Sequence, residues 1–458
     1  MARVSDDTLQ PLIDVTGSNP YALETALGYL KYGRQALDSL VNALHEAGRE
    51  VENIFTYIFQ HAWNVLSKDA RNLLMVMSFF RESASKAAMG AAAGVEGYYL
   101  DKAVAQLVEM SLLEVDDALL EDKQRFRVHP LTLSFAGAML REASTWEKKS
   151  RQRWFNYYCS FAQKYGGRDW DNWQAYETAH LELPNLLTVC NWAFSKRAAE
   201  EVFPFYDDVN NVLFIQGMWQ ENIRLSQRAA QVAKDAGNVR AQSRWLQDCG
   251  WALTWSDQFD EAGKLLTESL ELAESINDLQ RIRRATHDLG VLQLRKSNYQ
   301  QAVELLQRTL NISLHNEDDR DIIGDWYYLG CAAFKLENFD QASRWFNQVK
   351  TRGHEINWAR AHAYARNWLA DIEIIQGNYF HARQLIEEGF IVAKNFKDQR
   401  RIAYFKRSLA MLDEAEGNQL AALENAQKAQ DLFTRLGMQQ EVAEMEIFTQ
   451  RLEDTNKE

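Results

Sequence analysis

Small residues recur every forty positions in the second half of this chain. They are Gly250, Gly290, Gly330, Ala370 and Ala410, and twelve positions after each stands an alanine, at Ala262, Ala302, Ala342, Ala382 and Ala422. Three positions before these alanines stand Phe259, Tyr299, Phe339, Tyr379 and, in the last unit, Gln419. A long fixed period with small and aromatic residues in constant phase is typical of stacked repeats. The sequence therefore predicts an array of similar units with a long concave surface.

Apolar residues within each unit recur at helical spacing. In one unit Leu289 belongs to a first apolar stripe, and a second stripe begins at Tyr299. Each unit is therefore expected to be two antiparallel helices, with Asn298 suited to cap the second. Glycine inside a helix costs about 1 kcal/mol relative to alanine. The recurrence of Gly290 and its equivalents thus indicates a steric reason, namely close approach of the two helices where they cross near Ala302.

The repeat also matches a known signature. Its residues are Trp326, Leu329, Gly330, Phe339, Ala342 and Phe346. In this respect the region resembles the tetratricopeptide repeat (TPR), whose usual period is about 34 residues. We expect the extra residues of each forty-residue unit to lie in a longer second helix and turn. A divergent earlier unit, with Asn210, Trp219 and Asn222 in the same phases, would precede the five regular ones.

The resemblance implies a receptor for a protein or peptide ligand on the concave side. The side chains expected to face that groove from the first helices are Arg244, Gln247, Trp251, Arg284, His287, Tyr327, Tyr364, Asn367, Asp371, Tyr404 and Arg407. The alternative is that these residues only cover a solvated face or contact another part of a parent protein.

The first 145 residues predict several helices and a short β-hairpin. Helices are expected at 21–31, 35–46 and 50–66, and from Ser67 onwards, where the serine suits an N-cap. A short alanine-rich helix and a longer helix at 98–111 follow, and alternating residues predict strands at 112–116 and 124–128. Three helices followed by a two-stranded wing make a winged-helix unit.

In order and spacing, residues 10–142 resemble the C-terminal half of the nucleotide-switch module of NB-ARC proteins. These belong to the signal-transduction ATPases with numerous domains (STAND). The segment from Gly17 to Leu23 resembles the family's Gly-x-Pro-Leu-Ala segment, whose proline, here Pro20, abuts adenine. His129 falls where the family has Met-His-Asp, whose histidine touches the β-phosphate of ADP, although Pro130 replaces the acidic residue.

A nucleotide switch also needs a glycine-rich loop with lysine and Ser/Thr. No Gly-x4-Gly-Lys-Ser/Thr occurs in this sequence. We therefore expect no cofactor in this chain, with ATP or ADP bound only in a full-length parent that supplies a nucleotide-binding domain in cis or in trans. His129 is then either a remnant of that contact or a histidine satisfied at a strand–helix junction.

Charge and motifs exclude several function classes. The formal net charge is −13, and the helix at 98–111 has one lysine against two acids, so no nucleic-acid partner is expected. No apolar run is long enough for a membrane span, and the four cysteines show no paired spacing, which favours a cytoplasmic protein. The sequence shows no metal-ligand spacing and no nucleophile motif, so we expect neither a metal nor an enzyme.

The resulting prediction is an all-α chain with a small β wing, in which a winged-helix domain is followed by a TPR-like α-solenoid superhelix. Its parts are a helical subdomain remnant (1–53), a winged helix (54–145), lead-in helices (146–200), repeats (201–445) and a tail (446–458). The predicted function is a non-catalytic sensor of a STAND-type signalling protein that relays ligand binding through the winged helix. The alternative is a standalone TPR scaffold or adaptor without nucleotide switching.

Overall fold

The computed structural model describes residues 6–16, 18–33, 37–50, 54–116, 124–166 and 178–455. The chain divides into two compact units. The first comprises Met1–Phe161 with Glu182–Val189, and the second Ala162–Leu181 with Cys190–Glu458. The predicted fold class, all-α with a very small sheet and a TPR-like solenoid, is confirmed.

The first unit is helical around a three-stranded sheet. Its helices are Asp6–Val15, Pro20–Gly33, Leu37–Glu50, Ile54–Val65, Lys68–Val76, Lys86–Ala93, Gly97–Glu109, Pro130–Glu142, Ser144–Tyr165 and the first residues of Leu183–Lys196. Ser67 caps its helix as predicted, since its Oγ accepts a hydrogen bond from the amide of Ala70 at 3.2 Å.

The sheet has strands β1 (Ala84–Ser85), β2 (Glu114–Asp116) and β3 (Arg125–Arg127), in the order β1-β3-β2 and antiparallel throughout. The predicted β2–β3 pairing is confirmed, and its loop at 117–123 lies outside the described residues. Strand β1 was not predicted because two residues are too few to show alternation.

A buried polar cluster fixes the sheet to the helices of the first unit. Arg125 donates to Glu182 at 2.7 Å and to the Oγ of Ser83 at 2.6 Å. The other carboxylate oxygen of Glu182 accepts from the hydroxyl of Tyr158 and from the amide of Asn185, each at 2.8 Å. Because the carboxylate has several partners, the buried charge is well compensated, and the cluster is structural.

The second unit is a regular array of helices. After Ala199–Gln216 and Trp219–Asp235, a helix begins every twenty residues: Val239–Trp255, Phe259–Ser275, Leu279–Arg295, Tyr299–His315, Asp319–Lys335, Phe339–Glu355, Ala359–Ile375, Tyr379–Asn395, Gln399–Ala415, Gln419–Leu436 and Gln439–Thr455. The two helices of the unit at 279–315 are both 17 residues long. The prediction that the second helix carries the extra length was therefore wrong, because both helices share it.

Links of three residues join most of these helices, and links of two residues follow Gln216 and Leu436. Each link contains a residue with a positive φ, between 51° at Lys397 and 82° at Gly377. A residue in this left-handed conformation ends a helix and reverses the chain within one turn. The constant spacing of the helix starts keeps the helices in register along the array.

Helix capping differs from the prediction. Asn338 caps a second helix, since its Oδ1 accepts from the amide of Gln341 at 3.2 Å, but Asn298 makes no cap bond and instead donates to the side chain of Gln293 at 2.8 Å. First helices carry such caps more often, at Asn238, Asp278, Asp318 and Asp398.

The recurring glycines do lie where helices cross, and they face a large side chain sixteen residues later. A Cβ on Gly330 would approach the ring of Phe346 to 2.7 Å, and one on Gly250 would approach Leu266 Cγ to 2.6 Å. The equivalent partner of Gly290 is Leu306. The steric reason was thus predicted correctly, but the side chain that imposes it was not.

The array of the second unit winds back on itself. The ring of Phe214, near the start of the array, lies 5.5 Å from the guanidinium carbon of Arg400. In the last helix, Glu441 accepts a hydrogen bond from Arg295 at 3.0 Å, and the amide of Gln440 donates to the carboxylate of Asp257 at 3.0 Å. Helices from distant parts of the array therefore contact each other, and residues 446–455, predicted as a tail, belong to the closing helix.

Among the described helices, none combines the length and the apolar character required to cross a bilayer. Within the same residues, no group of three His, Cys, Asp or Glu side chains is placed to share a metal ion.

Candidate ligand-binding cavity

A cavity of about 310 Å³ lies inside the second unit. First helices of several units line it, together with Ala199–Gln216 and the start of Gln399–Ala415. The predicted groove residues that line it are Gln247, Trp251, His287, Tyr327 and Tyr364. The positions of these five residues within the first helices of their units therefore bring their side chains together, as the repeat pattern indicated.

The middle of the cavity is apolar and aromatic. Trp251 and Tyr328 meet edge to face with ring centroids 6.1 Å apart, and the rings of Tyr327 and Tyr364 are 5.7 Å apart. Ile323 adds an aliphatic side chain to this wall. Such a lining, with few polar groups, is typical of small-ligand sites.

One end of the cavity carries amides and carboxylates. Asn222 donates to Asn210 at 2.6 Å, and Asn210 donates to Asp248 at 3.1 Å. Gln247 donates to Asp288 at 2.5 Å. The two asparagines stand forty residues before Gly250 and Ala262, so a hydrogen-bonded polar pair replaces the small residues in the divergent first unit.

Another part of the cavity lining is cationic. Asp398 accepts hydrogen bonds from the Arg360 guanidinium and the Tyr364 hydroxyl, each at 2.7 Å, and from the amide of Arg401 at 3.0 Å. Burial alone would raise the pKa of Asp398, but Arg360, Arg400 and Arg401 lower it to about 2. One carboxylate thus stands among three guanidinium groups, which leaves an excess of positive charge.

Like Arg360, Arg400 lines this part of the cavity and was missed by sequence reasoning. Its side chain lines the cavity, and the residue is only 4% exposed. The guanidinium carbon lies 4.0 Å from the ring centroid of Trp255, so the planar face of the group is covered. Its Nη1 is buried and has no hydrogen-bond partner among the described residues. The available signal was an Arg-Arg pair with no carboxylate four residues away on either side.

Several predicted groove residues instead form a buried network beside the cavity. Arg407 donates to Asp371 at 2.6 Å, and Asn367 accepts from Arg401 at 3.0 Å and donates to Ser408 at 2.7 Å. Burial raises the pKa of Asp371 above its usual range, although the pair with Arg407 opposes the shift. These side chains support the cavity wall and do not line it.

The remaining predicted groove residues lie elsewhere. Tyr404 donates to Glu441 at 2.6 Å and, with Arg407, lines a separate cavity of about 200 Å³. Arg244 forms an ion pair with Asp207, and partly buried Arg284 does not line the main cavity.

Pro20 and His129 come close together in the first unit. Pro20 begins its helix, and the ring of the next residue, Tyr21, stacks on His129 with centroids 3.8 Å apart. The Nδ1 of His129 accepts a hydrogen bond from the amide of Leu131 at 3.3 Å and so caps the helix that begins at Pro130. His129 therefore has a structural role, and its nucleotide contact stays a prediction. Gly17 lies outside the described residues.

Residues 252–315 match the tetratricopeptide repeat family. The transcription activator GutR of Bacillus subtilis (strain 168) is 22% identical over an alignment of 477 residues, which covers 93% of this chain and 56% of the relative. The chain thus spans little more than half the length of that relative.

Solved structures with similar folds include a STAND protein with a tetratricopeptide repeat sensor from Pyrococcus horikoshii. It has a TM-score of 0.44 and 13% identity, covering 98% of this chain and 70% of that one. A Rap protein complexed with Competence and Sporulation Factor has a TM-score of 0.45 and 14% identity, covering 69% of this chain and 95% of that one.

Proposed function

We propose that the second unit is the ligand-sensing module of a STAND-type regulatory protein and takes up a peptide, or an exposed protein segment, inside its repeats. The observation that carries this proposal is the aromatic cavity whose lining holds both carboxylates and guanidinium groups. Its volume lies at the lower end of the roughly 300–1,000 Å³ typical of ligand sites. The cavity therefore suits a few residues of an extended chain.

The proposed output is regulatory. The Bacillus relative is a transcription activator, and the repeats connect distant helices through shared side chains such as Tyr327, which accepts from Trp368 at 3.0 Å and from Arg401 at 3.1 Å. In a full-length parent, ligand binding would change the position of the winged helix (54–145) relative to a nucleotide domain. In that parent, ADP would be held near Pro20 and His129.

A non-catalytic role is consistent with the buried nucleophiles. Burial raises the pKa of Cys249 and of Cys331 to about 12, so both thiols stay protonated and unreactive near neutral pH. Asp288 and Asp398 are engaged in hydrogen bonds rather than held free for proton transfer.

Gly324 allows a direct test because it lines the cavity without filling it. A Cβ at this position would meet only His287 Nε2, at 3.9 Å. We would select peptides from a displayed random library with the purified chain, and then measure their affinity for Gly324→Phe and Gly324→Ala. The phenylalanine should fill the cavity and abolish binding, whereas the alanine should leave binding within about twofold, since its methyl group fits.

Thermal unfolding of both variants shows whether they fold. Peptides that bind a folded Gly324→Phe protein as well as the wild type would place recognition outside the cavity. That result would contradict the sensor proposal and favour an adaptor that binds on its outer surface.

A further inference from the structure

We propose that the cavity recognises a carboxylate carried on an apolar or aromatic body, and that the guanidinium of Arg400 pairs with this carboxylate. This inference rests on the proposed function, because it names the chemistry of the ligand in the same cavity. It goes further by naming the group of the ligand that Arg400 binds.

The first step of the argument is the state of Arg400 itself. A buried guanidinium whose N–H groups lack acceptors loses hydration without compensation, which is costly. Stacking on Trp255 stabilises the face of the group but gives no acceptor to Nη1. Since Arg400 lines the cavity and its buried Nη1 has no described partner, an acceptor on a ligand that reaches this atom would complete the site.

The second step is the charge around Arg400. Asp398 already accepts three hydrogen bonds, from Arg360, from Tyr364 and from the amide of Arg401. The three arginines against one carboxylate leave a net charge of about +2 for this group of four side chains, counting each as fully ionised. An anion entering here therefore gains Coulombic energy in a poorly hydrated environment.

The third step is the shape of the cationic end. Arginine presents its N–H donors in a planar fork that matches the two oxygens of a carboxylate. Arg400 is the second residue of the helix Gln399–Ala415, so the positive end of that helix adds to the attraction. The aromatic wall of Trp251 and Tyr328 then covers the body of the ligand.

The remaining polar side chains of the lining disfavour other positions for the carboxylate. Asp248 and Asp288 repel an anion, while the amides of Asn210 and Asn222 provide polar contacts. The carboxylate is therefore directed towards Arg400, and hydrogen-bond donors of the ligand are directed towards the two aspartates. Both the C-terminus of a peptide and a free organic acid offer this chemistry.

The test compares acids with their neutral amides. Acetyl-Gly-Leu-Phe and 4-phenylbutyrate, each as the free acid and as the amide, would be titrated calorimetrically into the full chain. We expect each acid that binds to do so at least about tenfold more tightly than its amide, because a charged hydrogen-bond pair is formed. Binding of the peptide acid alone identifies a C-terminus as the ligand, whereas binding of both acids shows that a small acid suffices.

Two variants assign the preference to Arg400. Arg400→Met keeps an unbranched side chain of similar length over Trp255 and should remove the preference for the acid, while Arg400→Lys keeps the charge without the fork and should retain part of it. Arg308→Met, which removes an exposed arginine from a second helix, should behave as the wild type. Thermal unfolding checks that each variant folds.

The inference is wrong if acids and amides bind equally, if neither acid binds, or if folded Arg400→Met still prefers the acid. A library peptide that Gly324→Phe excludes but that shows no acid preference would leave the sensor proposal intact and remove this inference alone. The two failures are therefore distinguishable.

Discussion

The glycines of the repeats act through the side chains that they face. At Gly330 a methyl group would lie 2.7 Å from Cε1 of Phe346, which is completely buried. At Gly263, on a second helix, a methyl group would lie 3.5 Å from Leu292, an ordinary contact distance. The two positions therefore separate the packing role of a glycine from its low helix propensity.

Alanine at these two positions should have opposite effects on stability. Gly330→Ala forces Phe346 to move, and overpacking of this kind costs about 1–3 kcal/mol, more than the gain in helix propensity. Gly263→Ala gains that propensity without a clash and should stabilise by up to about 1 kcal/mol. Urea unfolding of the full chain measures both. Equal shifts in the same direction would mean that the contact with Phe346 does not explain the recurrence of glycine.

The aromatic residues of the cavity were predictable, whereas its cation was not. Trp251, Tyr327 and Tyr364 follow from the phase of the first helices. Whether a guanidinium is paired cannot be read from sequence, because the partner comes from another unit: Asp398 is shared with Arg360, thirty-eight residues away. The sequence pattern thus predicts which helices face inwards but not which charges remain uncompensated.

The helices and links form a regular module of twenty residues. The sequence predicted the forty-residue pairs correctly because apolar periodicity and small residues mark each crossing. The prediction misplaced the extra residues of each forty-residue unit and most of the helix N-caps. Asn298 and its equivalents suit both an N-cap and a link, so the sequence alone does not distinguish the two. The left-handed residue at the centre of each link, such as Asp257 or Glu337, carries no sequence signal when it is not glycine.

Substitutions in the links should therefore change stability through the backbone conformation of the link and not through side-chain contacts. Gly417 has a φ of 81°, and a Cβ there would meet nothing within 4 Å. Gly417→Ala should destabilise the chain by about 1 kcal/mol, because alanine pays the cost of the left-handed conformation. Gly417→Asn should cost less, since asparagine tolerates this region. Thermal unfolding compares the two, and an asparagine variant no more stable than the alanine variant would contradict this explanation.

The winding of the second unit depends on contacts that the repeat period does not encode. The period predicts neighbouring pairs, but the contact between Arg295 and Glu441 spans 146 residues and depends on the accumulated twist of the array. This is why the sequence predicted a concave groove along the array but not the contacts between its distant helices. The last helix thereby completes the array and adds a second cavity, which Tyr404 and Glu441 both line.

Glu441 should control the attachment of the last helix. Arg295 and Tyr404 lower the pKa of this buried carboxyl, although burial opposes the shift. Its stabilising effect is therefore complete above the ordinary glutamate pKa of about 4.3 and is lost as the pH falls below that value. Glu441→Gln breaks a buried ion pair, which typically costs about 3–5 kcal/mol, although Asp257 still pairs with Arg295.

Hydrogen exchange provides the measurement for this prediction. At neutral pH, Glu441→Gln should accelerate exchange in Gln439–Thr455 much more than in Phe339–Glu355, and the wild type should approach the same behaviour as the pH falls through the lowered pKa of Glu441. Glu444→Gln on the same helix is the control, because that half-exposed carboxylate lies 3.8 Å from Arg407 and contributes little. Similar exchange in the two variants would show that the helix is held by its apolar contacts, such as that of buried Met445, rather than by the ion pair.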